Sequence, residues 1–412
     1  MKTPVKPIRV SYATTAYGKP EIQAVLDVLN RPSRMIVAGE LVREFERKVA
    51  ALFGKKYGVA VNSGSSANLL AVELAGLPKG SEVITPLLTF GTTVAPLIRK
   101  EGLVPVFADV DPRTYQINVS QIEPLITRKT RALMVPLLLG NLPDLAGLRR
   151  IAKRHGLLFI EDSCDTIGGS FRGKPTGSYS DISTTSFYAS HIVTAAGGGG
   201  MILLDDRELA RRALVMSNWG RQSTLFGVHD ASENIRKRFQ ARVANIPYDA
   251  KFIFSELGYN FQMTDVQAAF ALENLKRLPE FAKRRKANFT RLMEFFKRHE
   301  KFFILPEQLP GTDTPWLAFP LTIRPGSPFT RLALTKYLEE RNIQTRPVFS
   351  GNILKHPGFR NPGAHKKRPE GYPVTDLVMR QSFLIGCHHG LTEAMFQHLF
   401  ETFASFLKQH AN

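Results

Sequence analysis

Three short stretches of this 412-residue chain carry side chains suited to chemistry. The first is Val61-Asn-Ser-Gly-Ser-Ser-Ala-Asn68, set between a short apolar strand at Gly58 to Val61 and a helix. Gly64, Ser65 and Ser66 at a helix N-terminus offer free backbone N–H groups, the positive end of the helix dipole and hydroxyl donors, which are the parts of a phosphate site. A serine N-cap with a purely local role fits the same residues, and the spacing matches neither the P-loop nor the dinucleotide fingerprint. The second stretch is Ile160-Glu-Asp-Ser-Cys-Asp165. Carboxylates at the C-terminal end of a buried strand lie where open α/β sheets bind ligands, and one of them could hold a heteroaromatic nitrogen protonated. A surface loop with solvated acids is the alternative. Cys164 could be a nucleophilic thiol, although a small buried residue is the preferred reading. The third stretch is Ser186-Phe-Tyr-Ala-Ser-His191, followed by Thr194 and by Gly197 to Gly200. His191 could act as a general acid or base near neutral pH, or serve as a structural loop histidine. Four consecutive glycines allow tight turns and close approach of a backbone or a ligand.

These stretches need a scaffold. Glu40 to Phe53 reads as a helix with Leu41, Phe45, Val49 and Leu52 on one face and Gly54 as its stop; Ser63 to Ala75 reads as another. Runs that look like buried strands follow at Glu82 to Thr85, Val104 to Phe107, Ala132 to Leu138, Leu157 to Ile160, Ile182 to Phe187 and Met201 to Leu204, with a helix at Leu145 to His155. Strands separated by helices predict an α/β fold with a mainly parallel sheet covered on both faces. Residues 222–255 are polar and basic, and their charges read as a solvated face in preference to a binding patch. A helix from Thr264 to Leu278 ends at Pro279, and the next carries Phe281, Arg285, Phe289, Leu292 and Phe296 on a helical period. We expect a large unit at residues 1–280 and a smaller C-terminal α+β unit at 281–412.

Composition narrows the function classes. Hydrophobic residues are 43% and charged residues 22%, so most of the chain can bury a core. Lys and Arg number 55 against 36 Asp and Glu, a net charge of +19, which favours anionic partners without choosing among them. Only Cys164 and Cys387 are present, which excludes a disulfide framework and a four-cysteine zinc or iron–sulfur site from this chain alone. Metal-ligand patterns such as His-Glu-x-x-His or Cys-x-x-Cys are missing, so no metal is expected. No run approaches the roughly 18 apolar residues of a membrane span, and a cytoplasmic protein is the expectation.

In order and spacing the three stretches resemble the sugar-modifying branch of the fold-type I aminotransferases, the DegT/DnrJ/EryC1/StrS family, which use pyridoxal or pyridoxamine phosphate. The resemblance runs from about Tyr12 to Thr402. It is carried by Asn62-Ser-Gly-Ser-Ser-Ala-Asn-Leu-Leu70, Thr89-Phe90, Glu161-Asp162, Ser186-Phe-Tyr188, Gly258-Tyr-Asn-Phe-Gln-Met-Thr-Asp265, Thr345-Arg-Pro-Val-Phe-Ser-Gly-Asn352 and Ile385-Gly386. Within the family the chain looks most similar to the CDP-4-keto-6-deoxyglucose 3-dehydratases, with the GDP-4-keto-6-deoxymannose 3-dehydratases as relatives.

The resemblance implies an aspartate-aminotransferase-like fold and the following roles. Gly64, Ser65 and Ser186 hold the cofactor phosphate, and Phe90 stacks on the pyridine ring. Asp162 pairs with the ring nitrogen, and Asp165 falls near the ring hydroxyl, where many relatives have Gln. Asn260 reaches the phosphate of a neighbouring subunit, which implies a homodimer with shared sites. His191 stands where aminotransferases of the family carry the Schiff-base lysine, and no Lys lies between Lys174 and Lys237. An imidazole forms no stable imine, so the resemblance implies non-covalent pyridoxamine or pyridoxal 5′-phosphate and C3 dehydration of a nucleotide-linked 4-keto-6-deoxyhexose, with His191 as base. Two departures stand out. The stretch from Ser217 to Asn260 lacks the cysteines on which the CDP-sugar enzymes carry a [2Fe–2S] cluster, so no iron–sulfur cluster is expected and glutamate becomes the candidate amino donor. Gly197-Gly198 also replaces the usual acidic residue before the glycine pair. Transamination or oxidative deamination of a nucleotide sugar, or a non-catalytic binding protein, are the alternatives; nucleic acid and membrane are not expected as partners.

Overall fold

The computed structural model describes residues 8–31, 36–99, 102–227, 233–360 and 370–410. Seven strands form the central sheet: β1 (Tyr57–Val61), β2 (Glu82–Pro86), β3 (Val104–Ala108), β4 (Thr130–Pro136), β5 (Leu158–Asp162), β6 (Ile182–Ser186) and β7 (Gly200–Leu204). Their order is β1-β7-β6-β5-β4-β2-β3. Neighbours from β6 through β5, β4 and β2 to β3 run parallel, whereas β7 is antiparallel to both β6 and β1. Such strands must be buried on both faces, and every residue of β2, β6 and β7 is buried.

The expected strand at Ile182 to Phe187 is present, but it is not an apolar run. Strand β6 reads Ile-Ser-Thr-Thr-Ser, and each buried hydroxyl finds a partner. Ser183 meets Ser180 at 2.7 Å, Thr184 donates to Asn68 at 2.6 Å and Thr185 donates to the Ser163 carbonyl at 3.1 Å. Buried hydroxyls without partners would destabilise the sheet by about 1–3 kcal/mol each.

The helices are α1 (Lys19–Leu29), α2 (Glu40–Leu52), α3 (Gly64–Leu74), α4 (Gly91–Arg99), α5 (Leu145–His155), α6 (Arg207–Met216), α7 (Ile235–Phe239), α8 (Asp265–Lys276), α9 (Leu278–Lys297), α10 (Arg331–Glu339), α11 (Pro373–Gln381) and α12 (Glu393–Gln409). Val42, Phe45 and Val49 of α2 pack with Met201 and Leu203 of β7 on one face of the sheet. Ala67, Leu70 and Leu74 of α3 pack with Val59, Ile160 and Ile202 on the other. Pro279 does not terminate the preceding helix, as the sequence suggested. Helix α8 ends at Lys276, and Pro279 sits in the first turn of α9, where its missing N–H costs nothing.

A second sheet, β8 (Phe303–Ile304), β9 (Ala318–Ile323), β10 (Arg346–Pro347) and β11 (Ser382–Gly386), has the order β8-β9-β11-β10 and is antiparallel throughout. Its core is phenylalanine-rich: the Phe296 ring lies 5.6, 5.5 and 5.0 Å from the rings of Phe303, Phe319 and Phe403. Helix α9 contributes Leu278 and Phe281 to the core of the large sheet and Leu292, Phe295 and Phe296 to that of the small one. The segment before α1 also joins the core of the small sheet, where Val10 bridges Ile343 just after α10.

Candidate active site

The C-terminal ends of the parallel strands open into a cavity of about 680 Å³. It is lined by Gly64, Ser65, Phe90, Asp162, Asp165, Ser186 and His191 from the large sheet's side and by Arg346, Phe349 and His356 from the small sheet's side. Seven of the eight residues expected at the site therefore share one cavity. The eighth, Asn260, does not line it. Asn260 is exposed and bridges Asn218, two residues before Gln262, which bridges Val61 at the end of β1.

One end of the cavity is the N-terminus of α3. The Ser63 hydroxyl accepts from Ser66 N–H at 3.1 Å, so the serine cap exists, and it leaves the N–H groups of Gly64 and Ser65 without an intrahelical partner. A Cβ on Gly64 would stand 2.6 Å from Ser186 Cβ and 2.7 Å from Cys164 Sγ, so only glycine lets the helix end meet β6. A Cβ on Gly200 would stand 2.3 Å from the Ser63 carbonyl. The four-glycine run thus serves a close backbone approach behind the same helix end. Unpaired N–H groups, the helix dipole and the hydroxyls of Ser65 and Ser186 suit a phosphate.

Asp162 ends β5 only 5% exposed, which removes the alternative of a loop with solvated acids. Its Oδ2 accepts from Asn68 Nδ2 at 2.8 Å and from Thr93 Oγ1 at 2.7 Å, and its Oδ1 accepts from Cys164 N–H at 3.2 Å. Glu161 points to the other face, where burial raises its pKa and Ser163 donates to it at 2.5 Å. Asp165 also faces the cavity. Burial pushes its pKa up to about 7, assisted by the Asp162 charge and opposed by the Leu139 N–H at 3.1 Å. Leu139 holds that N–H in place with a left-handed backbone (φ 64°) just beyond β4. Burial and the two neighbouring aspartates raise the Cys164 thiol well above its ordinary value. Such a thiol carries little thiolate, so the nucleophile reading has no support.

His191 Nδ1 makes a short hydrogen bond to the Cys164 carbonyl. A carbonyl only accepts, so Nδ1 carries the hydrogen and the Nε2 lone pair is the basic position. Burial lowers the imidazole pKa to about 4, against the Cys164 carbonyl and Asp162, which raise it. The ring is therefore neutral near pH 7, and burial makes it a weaker base than a free imidazole. No lysine lines the cavity among the described residues.

Aromatic rings frame the entrance. Phe90 is 57% exposed and meets Phe349 edge-on at 6.4 Å, and Tyr188 meets His191 edge-on at 6.2 Å. Ser350 Oγ donates to the Thr89 carbonyl at 2.6 Å and ties the 345–352 segment to the Phe90 turn. Arg346, whose Nη1 donates to the Thr345 carbonyl at 2.7 Å, brings a cation to the mouth. Sequence reasoning did not single out Asn68, Thr93 or the Leu139 N–H. Asn68 lay inside the recognised motif, but its partner is 94 positions away, and nothing local announces the pairing.

The sequence pattern of the DegT/DnrJ/EryC1/StrS aminotransferase family matches residues 16–404. The chain belongs to that family. A family relative, the dTDP-4-dehydro-2,6-dideoxy-D-glucose 3-dehydratase of Saccharopolyspora spinosa, is 38% identical over 382 residues, covering 90% of this chain and 81% of that protein. The solved structure of the E. coli GDP-4-keto-6-deoxy-D-mannose 3-dehydratase with bound hydrated PLP superposes with a TM-score of 0.84 at 26% identity, covering 96% of this chain and 99% of that one. A structure of GDP-4-keto-6-deoxymannose 3-dehydratase with a trapped PLP–glutamate geminal diamine gives 0.83 at 26% identity, covering 95% and 99%. The fold is that of the fold-type I aminotransferases, as the sequence resemblance implied.

The donor set fits a vitamin B6 phosphate. A helix N-terminus with two serine hydroxyls faces one end of the cavity, and a clamped, buried carboxylate lies in its wall. The exposed Phe90 ring can cover a flat heterocycle.

Proposed function

We propose that this chain dehydrates C3 of a nucleotide-linked 4-keto-6-deoxyhexose in deoxysugar biosynthesis, using non-covalently held pyridoxamine or pyridoxal 5′-phosphate. The observation that carries the reading is His191: an imidazole whose Nδ1 meets the Cys164 carbonyl, in a cavity lined by no lysine among the described residues. The names of the 3-dehydratase relatives support the same chemistry.

When bound, the cofactor supplies an amine for the sugar's C4 carbonyl and a protonated ring that accepts electrons. Gly64, Ser65 and Ser186 bind its phosphate, Phe90 covers the ring, and Asp162 accepts the hydrogen bond of the ring nitrogen. His191 Nε2 would take a proton from the carbon that bears the cofactor's amine, and the imidazolium so formed could return a proton to the C3 oxygen, which leaves as water. Asp165 keeps its proton over part of the neutral range and faces the ring hydroxyl as a donor. An imidazole that cannot capture the cofactor covalently leaves the amine free for the sugar.

The proposal extends to the assembly. Residues 235–257 expose Ile235, Phe239, Ile246, Tyr248, Phe252, Phe254 and Leu257, the last at 93%, an apolar set that a second copy would cover. In such a homodimer Asn260 reaches the neighbour's phosphate site. Glutamate is the amino donor in this reading, supported by the glutamate adduct in the related structure and the absence of cluster cysteines between Ser217 and Asn260. A cytoplasmic setting, where nucleotide sugars are made, and the division of the chain at residues 280 and 281 belong to the same proposal. No helix among the described residues is long and apolar enough to cross a membrane.

The test incubates the protein with pyridoxamine phosphate, glutamate and a dTDP- or GDP-linked 4-keto-6-deoxyhexose. Loss of the C3 oxygen, seen by mass spectrometry and NMR, is expected, and borohydride should leave no pyridoxyl group on the protein. A borohydride-stable adduct on a lysine, or an amino sugar that keeps its C3 hydroxyl, overturns the reading.

A further inference from the structure

We infer that Asn68, held in turn by Thr184, is a positioning residue that aims the Asp162 carboxylate at the ring nitrogen of the cofactor. The inference rests on the reading above and assigns a role to two residues outside its machinery. Asn68 is 1% exposed and sits four residues after Gly64 on α3. That spacing puts it on the same helix face as the phosphate cradle, about 6 Å farther along the axis. One rigid helix therefore carries both the phosphate donors and the group that orients Asp162.

A primary amide has a donor end and an acceptor end, and only one arrangement suits this site. With Nδ2 on Asp162 Oδ2 at 2.8 Å, the amide attracts the carboxylate. Turned over, it would set its oxygen against that of Asp162. The Thr184 hydroxyl lies 2.6 Å from Asn68 Oδ1 and donates to it, which holds the favourable arrangement. Thr184 is fully buried in β6, beside Asp162 in register, so the chain runs from sheet to helix and back to sheet. Thr93 donates to the same Oδ2 from α4. Without Asn68, Oδ2 keeps one donor, and the carboxylate can turn about its Cβ–Cγ bond away from the cavity. A valine at 184 preserves the shape of the strand but leaves the amide oxygen buried and unpaired.

Three variants test this: Asn68→Leu, Thr184→Val and Thr184→Ser. Added pyridoxal phosphate reports directly, because its absorbance changes when the ring nitrogen loses its proton. Wild type is titrated first, and the pH midpoint of the bound chromophore is recorded. Asn68→Leu should lower that midpoint by about one unit and reduce kcat about tenfold, with the sugar KM within about twofold of wild type. Thr184→Val should move both readouts the same way by less, and Thr184→Ser, which restores the hydroxyl, should return them to wild type. If Asn68→Leu fails to fold, the Thr184 pair carries the decision alone. Folded variants with wild-type midpoints and wild-type kcat overturn the inference, as does a Thr184→Ser protein as impaired as Thr184→Val. A wild-type protein that leaves the chromophore unperturbed removes the cofactor reading itself, and the inference with it.

Discussion

The cavity wall and the 235–257 segment are built on opposite rules. In the wall, polar groups are buried and paired: Asp162 takes three donors, and the β6 hydroxyls are each engaged. In the segment, apolar groups are exposed. Phe252 and Phe254 flank the guanidinium of Arg221 at 5.5 and 6.0 Å from their ring centroids, with Trp219 at 4.5 Å. The charges read from sequence as a solvated face are indeed at the surface, with Arg236, Lys237 and Arg242 exposed. They share it with the aromatic rings, which a solvated face does not explain. Burying polar groups and exposing rings both carry a free-energy cost, which pairing offsets in the wall and nothing among the described residues offsets in the segment. The wall suits a small polar ligand that reads donors and acceptors. The segment suits a broad partner that covers rings.

The contrast can be broken most directly at His191. His191→Asn should lower turnover by about 10²–10⁴-fold, the usual weight of a general base, while pyridoxal phosphate still binds in an absorbance titration. In wild type the activity should persist down to mildly acid pH and fall as His191 protonates near 4, because only the neutral ring is a base. Unchanged turnover in the variant would remove the assigned role.

The segment is tested by Phe252→Glu combined with Phe254→Glu. The wild type should sediment as a dimer. The double variant should dissociate about a hundredfold more readily, the weight of one strong aromatic contact, and lose activity in step. A wild-type monomer in sedimentation equilibrium would contradict the proposed assembly.

Asp165 offers a smaller and pH-dependent effect. Its carboxyl is raised from 3.8 to about 7 in the folded chain. Between those values the unfolded chain has lost a proton that the folded chain keeps, so the stability contribution is complete below 3.8 and is lost as pH rises through 7. Asp165→Asn should therefore gain up to about 4 kcal/mol over wild type near pH 8 and little near pH 4, read from urea melts. A constant difference at both pH values would argue against a buried, raised carboxyl.

The smallest effect belongs to the ion pairs of the exposed segment. Arg238 pairs with Glu233 at 2.9 Å and with Asp249, close to solvent. Arg238→Ala should move the urea midpoint only slightly in the same melts, and less still with added salt. A larger loss would mean that the segment's charges, and not its rings, organise it.

Much of the scaffold was legible because it follows local rules. Helix α5 spans Leu145–His155, the range read from sequence, with Asp144 capping it through the Gly147 N–H at 3.0 Å. Strand β4 was read to Leu138 but ends at Pro136, since Leu138 and Leu139 turn to aim an N–H at Asp165. Strand β6 was placed correctly for an incomplete reason. Its Ile and Phe neighbours suggested burial, while the hydroxyls of Ser183, Thr184 and Thr185 make sense only against Ser180, Asn68 and Ser163.

The sequence by itself determined the chemical inventory: a loop histidine with no lysine near it in the chain, an aspartate ending a buried strand, and serines and glycine opening a helix. Those are properties of residue type and short spacing, and they survive in one dimension. Only the tertiary structure decided which nitrogen of His191 carries the hydrogen, which donors hold Asp162, and that burial raises the Asp165 carboxyl. Protonation and orientation are set by burial and by partners dozens of residues distant, and those come together only when the sheet closes around them.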